Sequence, residues 1–142
     1  MKGNKFGRIF LVVFLVGTLI EFCGAMLMRP ALQANGGVPW RTDFTALGFS
    51  GFLLISIVYA FSFTFIFLQG YRGHGPIEGI RFGIWATLLA SVGPNLAYGL
   101  MLPEGRKVPV EFIAVDFITF IVAGAIAAAL AGKTEAGKAA GA

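Results

Sequence analysis

Four stretches of the chain, 9–28, 46–68, 82–102 and 110–131, are almost continuously apolar, and the second carries no charge at all. Each is about 20 residues long or slightly longer, the length a helix needs to cross a hydrocarbon layer of about 30 Å. One local pattern reads differently. Phe61, Phe63, Phe65 and Phe67 alternate at period two, as on a strand. An isolated strand in lipid leaves its backbone groups unpaired, and a closed barrel needs many more strands. The stretch is therefore expected to be helical, with its phenylalanines spread around a lipid-facing surface. Breakers fall between the runs: Pro30, Asn35-Gly36-Gly37 and Pro39, then Gly70, Gly73, Gly75 and Pro76, then Pro103, Gly105 and Pro109. The first loop is the longest and can hold an interfacial turn around Trp40. The tail, 132–142, is rich in Gly and Ala and is expected to be mobile. No internal repeat is evident. The expectation is an all-α, integral membrane four-helix bundle formed by 1–142 as a single transmembrane domain.

Composition agrees. Hydrophobic types make up 57% of the 142 residues and charged types 13%, with a mean hydropathy of +0.82. A soluble domain carries about 25% charged residues, so this chain cannot clothe a water-facing surface. An ordinary soluble enzyme, a disordered tail and a disulfide-stapled secreted module are excluded. Eleven Lys and Arg against seven Asp and Glu leave a net charge of +4. The basic residues flank apolar runs instead of clustering with aromatics on a polar face, so they read as topology charges and not as a nucleic-acid surface. Lys2, Lys5 and Arg8 precede the first run like the start of a signal peptide. The run is longer than a signal core and no A-x-A site follows, so it is expected to remain as a first span. The N-terminus, second loop and tail carry Lys2, Lys5, Arg8, Arg72, Arg81, Lys133 and Lys138, whereas the other two loops carry Arg29, Arg41, Arg106 and Lys107. Both termini are therefore expected in the cytoplasm. Trp40, Tyr71, Trp85 and Tyr98 fall near the ends of runs, as interfacial anchors do. Cys23, the only cysteine, lies inside a run and reads as a small packing residue.

Three polar residues inside the runs carry the candidate chemistry: Glu21, Asn95 and Asp116. A carboxylate near the bilayer centre costs about 2.5–3.5 kcal/mol even on the lenient insertion scale. All three lie about 9–11 Å below the same side of the membrane at a helical rise of 1.5 Å per residue. One reading is a polar site where Glu21 and Asp116 exchange protons or cations. With no intramembrane Lys or Arg beside them the two carboxyls should not both ionise, and a shared proton, a bound cation or a cationic ligand would relieve the repulsion. The other reading is structural: Glu21 bonded to backbone or met by Arg29, Asn95 as interhelical glue, Asp116 paired with another subunit. Pro94, in Gly93-Pro94-Asn95, should kink its helix and free the carbonyl of Ala90. Ala123, Gly124, Ala125, Ala127, Ala128, Ala129 and Ala131 allow close helix approach, within this chain or in a homo-oligomer. His74, between glycines, reads as solvated. Nothing in the sequence has the spacing of a nucleophile and base, a phosphate loop or a metal site, so neither cofactor nor metal is expected.

The segment Glu78-Gly79-Ile80-Arg81-Phe82-Gly83, followed by an apolar run with Pro94 and ending near Pro103, resembles small uncharacterised bacterial four-span inner-membrane proteins. That resemblance implies architecture and a multi-pass place in the inner membrane. Glu21-Phe22-Cys23-Gly24-Ala25-Met26-Leu27-Met28-Arg29 resembles the glutamate segment of small multidrug resistance transporters, and Gly79-Ile80-Arg81-Phe82-Gly83-Ile84-Trp85 resembles one of their third-span segments. This second resemblance implies that Glu21 binds cation and proton in turn and that Trp85 faces the substrate; Asp116 is an addition to the pattern. Two functional expectations follow. The first is a non-enzymatic accessory or assembly subunit of a larger membrane complex. The second is a proton- or cation-coupled small-molecule transporter using Glu21 and Asp116.

Overall fold

The structure, a computed structural model, describes residues 3–34, 46–101 and 110–139. These form α1 (Gly3–Ala34), α2 (Ala46–Gly70), α3 (Pro76–Thr87), a π-turn (Leu88–Val92), α4 (Gly93–Met101) and α5 (Val110–Ala139), with no strand among the described residues. Three segments, Lys5–Leu27, Gly48–Gly70 and Phe112–Gly132, are long and apolar enough to cross a membrane. The run expected over 82–102 is helical as far as it is described, but the π-turn divides it into pieces. Trp40, Arg41 and the breakers at 35–39, 103, 105 and 109 lie outside the described residues, as do the side chains of Arg29 and Tyr98.

Two helix ends differ from the sequence expectation. Pro30 does not stop α1, which runs on to Ala34. Proline removes one backbone bond, but the following Ala31, Leu32 and Gln33 are strong helix formers and carry the helix past it. Likewise α5 continues to Ala139 instead of ending near Ala131, because the Ala, Lys and Glu of that segment favour helix over coil.

α5 is the central element, with α3 on one side and α1 on the other, while α2 lies chiefly against α1. Both pairings with α5 are antiparallel: Gly17 and Gly24 of α1 meet Thr119 and Val115, while Gly79 and Gly83 of α3 meet Gly124 and Phe120. Gly79 and Gly83 are one turn apart on one face, so the backbones of α3 and α5 touch there. A Cβ on Gly79 would collide with the carbonyl oxygen of Gly124, and one on Gly83 with that of Phe120. The small residues of α5 complete this seam within the chain: Ala123, Ala127, Ala128 and Ala131 are buried.

Phenylalanines fill the wider space toward α2. Phe63 and Phe67, four residues apart, are buried and stacked; Phe63 meets Phe82 at 5.0 Å and Phe120 at 5.7 Å between ring centres. Phe61 and Phe65 instead share an outer face. The alternation at period two thus divides on a helix into two aromatic rows, one inside and one outside. Large apolar side chains such as Leu19, Leu54, Ile66 and Leu89 stay exposed on the outer faces, far more than a water-soluble monomer leaves uncovered.

Candidate functional site

Helical spacing assembles the polar groups. Thr18 and Glu21 are three residues apart on α1; Asp116 and Thr119 are three apart on α5. Residues at that spacing share a helix face, and the antiparallel contact of α1 with α5 turns the two faces toward each other. Gly24 leaves room for this: a Cβ there would lie 2.7 Å from the Cγ1 of Val115. Glu21 interacts with the side chains of both Thr119 and Asp116.

The third participant is the distorted helix. Ser91, in the π-turn, donates its hydroxyl hydrogen to Oδ2 of Asp116. Asn95 donates from Nδ2 to the Ser91 carbonyl at 2.9 Å and also lies 3.2 Å from the Ser91 hydroxyl oxygen. Pro94 explains the local geometry. Its ring would crowd the carbonyl of Ala90 in a regular helix, and a wide turn spanning Ala90 relieves that clash. The result presents Ser91 to α5. Glu21, Asp116, Ser91 and Asn95 therefore form one connected group, with Asn95 joined to the carboxyls through Ser91.

The hydroxyl protons can be assigned from their partners. Ser91 gives its proton to Asp116. Thr119 has two acceptors within reach of its one proton, the Val115 carbonyl at 2.9 Å and the Glu21 carboxyl, and Ser56 gives its own proton to the Phe52 carbonyl at 2.9 Å. Thr18 is different: its Oγ1 is buried and has no hydrogen-bond partner, as is also true of Thr64 on α2. Of these two, Thr18 lines a cavity.

That cavity has a volume of about 170 Å³ and lies between α1, α2 and α5, with Ala90 of the π-turn at its edge. α1 contributes Phe14, Thr18 and Glu21; α5 contributes Asp116, Thr119 and Phe120; α2 closes it with Phe52, Ser56, Tyr59 and Phe63. Two carboxyls and the hydroxyls of Thr18 and Thr119 thus lie on the α1 and α5 side, and α2 faces them with aromatic rings and the Ser56 and Tyr59 hydroxyls. Among the described residues no Lys, Arg or His lines it. Among the described residues no group of three or more His, Cys, Asp or Glu is arranged to hold a metal ion. The wall can exchange a proton between carboxyls or balance one positive charge.

Other residues singled out by the sequence lie elsewhere. Trp85 is 65% exposed on an outer face and does not line the cavity. Cys23 is exposed on α1 instead of packed inside. Tyr71 donates to the Ala128 carbonyl at 3.2 Å and tilts against Phe67, tying the end of α2 to α5. His74 sits in the turn before α3, 3.5 Å from Glu78. The backbone N–H groups of Arg72 and His74 donate to the two Glu78 oxygens at 2.6 and 2.9 Å. Desolvation pushes the Glu78 carboxyl up, but these two N–H donors and the His74 ring together hold it below its ordinary 4.5.

Sequence reading passed over Thr18, Ser91 and Thr119, and also the Gly79–Gly83 pair. Their signals are present: a threonine three residues from each intramembrane acid, and a G-x-x-x-G spacing. Comparison with known proteins returns no match, whether against protein-family models, curated proteins or solved structures.

Proposed function

We propose that this chain is a multi-pass inner-membrane protein whose Glu21 and Asp116 carboxyls exchange protons or cations, as in a small coupled transporter. In this reading the run 82–102 is the third of four crossings and both termini are cytoplasmic. One observation carries it: a cavity between the candidate spans on which both intramembrane acids converge, lined by no cationic side chain among the described residues. Charges inside a bilayer are costly and tend to mark ion or substrate pathways. A merely structural pair would be expected to be packed over instead of opening onto empty volume.

The test is flux. In proteoliposomes with an imposed pH gradient, the protein should dissipate the gradient in a cation-dependent way, and Glu21→Gln and Asp116→Asn should each reduce the rate at least tenfold while the protein remains monodisperse. Rates unchanged by both substitutions would refute the assignment. Complete absence of flux, with co-purification of a larger complex in mild detergent, would identify an accessory or assembly subunit instead. Topology is tested separately in a Cys23→Ser background. Cysteines introduced by Asn35→Cys and Glu104→Cys should be labelled by an impermeant reagent from outside, and that from Gly73→Cys should not.

A further inference from the structure

Resting on the exchange site just described, we infer that the cavity takes a small primary alkylammonium ion, held by N–H bonds to Glu21, Asp116 and Thr18, with its alkyl chain among the aromatic rings. Charge excludes an anion, since both ionisable groups on the wall are acids. A neutral apolar guest would bring no positive charge to the carboxyl pair and would leave the Thr18 hydroxyl without a partner, at the usual cost of a buried unpaired polar group. A hard metal cation draws about six or more oxygens around itself; here the Phe14, Phe52, Phe63 and Phe120 rings form much of the lining, and the Ser56 hydroxyl of α2 is turned to its own helix backbone.

An organic cation fits both halves. Rings attract a cation over their faces and accept its hydrocarbon part. The oxygen wall then decides which kind of ammonium. Asp116 accepts from Ser91 and is bonded to Glu21, so loss of the proton the pair shares frees an acceptor on Asp116. Glu21 offers its carboxyl, and the buried Thr18 hydroxyl has lone pairs that nothing fills. Three acceptors match the three N–H bonds of a primary ammonium. A quaternary ammonium has no N–H bond and would leave all three unmet. Size sets the chain length. An engineered apolar cavity of about 150 Å³ holds benzene, so about 170 Å³ has room for the chain of an amine of roughly four to six carbons.

Entry of the ion is an exchange. The O–H bond of the carboxyl that holds the pair's proton breaks, that proton passes to bulk water, and the carboxylate so formed accepts an ammonium N–H. The charge in the cavity is the same before and after.

The experiment is calorimetric titration of the full-length protein in lipid nanodiscs near pH 7, in two buffers of different ionisation heat. The probes are n-butylammonium, tetramethylammonium and sodium. Butylammonium should bind with release of about one proton, with tetramethylammonium at least tenfold weaker and sodium silent. Glu21→Gln should abolish the proton release, and the near-isosteric Thr18→Val should weaken butylammonium at least threefold without changing the melting temperature. Tetramethylammonium binding as tightly as butylammonium, or sodium displacing the proton equally well, would overturn the primary-ammonium assignment while leaving proton–cation exchange at Glu21 and Asp116 standing. A silent titration with butylammonium, alongside flux that still depends on Glu21, would also overturn this inference alone. No proton release with any cation, together with flux indifferent to Glu21→Gln, would remove both.

Discussion

α5 has two sides built from similar apolar composition and put to opposite use. Toward α3 it presents Gly124 and Ala128, and α3 answers with Gly79 and Gly83, so backbone meets backbone and no space remains. Toward α1 and α2 it presents Asp116, Thr119 and Phe120, and the elements stand apart around a cavity. In lipid no hydrophobic force distinguishes the two sides, because lipid tails are as apolar as any side chain. Side-chain size alone sets the separation. Glycine lets helices close completely; phenylalanine props them open, and the polar groups collect where the props stand. The tight side anchors the bundle, and the open side is left for chemistry.

The comparison can be broken most sharply at the seam. Gly79→Leu forces a side chain into the Gly124 carbonyl, with no flexible neighbour able to yield. It should cost about 3 kcal/mol or more and yield protein that aggregates on extraction; a variant melting like the parent in mild detergent would show that the seam is not the anchor. Phe63→Ala removes a prop instead. Its cost should be lower, about 2 kcal/mol, since lost packing is not compounded by transfer to water as it is in soluble cores. It should widen the cavity, so that hexylammonium gains on butylammonium in the same titration. Equal relative affinities before and after would mean that Phe63 does not bound the ligand's space.

The smallest effect belongs to the turn joining the two sides. Glu78 holds the N–H groups of Arg72 and His74, and its carboxyl lies below its ordinary 4.5. A carboxyl lowered by folding stabilises fully above its unfolded value and loses that contribution as pH falls through the folded value. Exchange of the Arg72 and His74 amide hydrogens, corrected for intrinsic rate, should therefore accelerate as pH drops below about 4.5, and Glu78→Gln should remove that dependence. Protection that is flat with pH would show that the turn is held by Pro76 and its positive-φ glycines, Gly73 and Gly75, instead.

The apolar runs were legible because lipid imposes a length on whatever crosses it, and no nearby residue alters that requirement. Glu21, Asn95 and Asp116 stood out for the same reason, as rare polar side chains in apolar surroundings. Helix ends were less legible: Pro30 carries a local signal to stop, yet its neighbours outweigh it. Thr18, Ser91 and Thr119 were hidden because a hydroxyl in a helix usually bonds its own backbone, as Ser56 and Thr119 do here. Which hydroxyl instead turns to another helix depends on rotation about the helix axis, and the wide turn before Pro94 changes that rotation midway. The division of the phenylalanines into an inner and an outer row required the same knowledge of helical phase.

The π-turn therefore acts as a phase shifter. One surplus residue in a turn rotates everything after it by about 100° relative to an uninterrupted helix. Upstream of it, α3 aims its glycines at α5; within it, Ser91 meets the same partner at Asp116, and downstream Asn95 holds Ser91. Held to even winding with every residue kept, as Pro94→Ala would allow, the same stretch would turn Asn95 about 100° away from the face it now shares with the carboxyls.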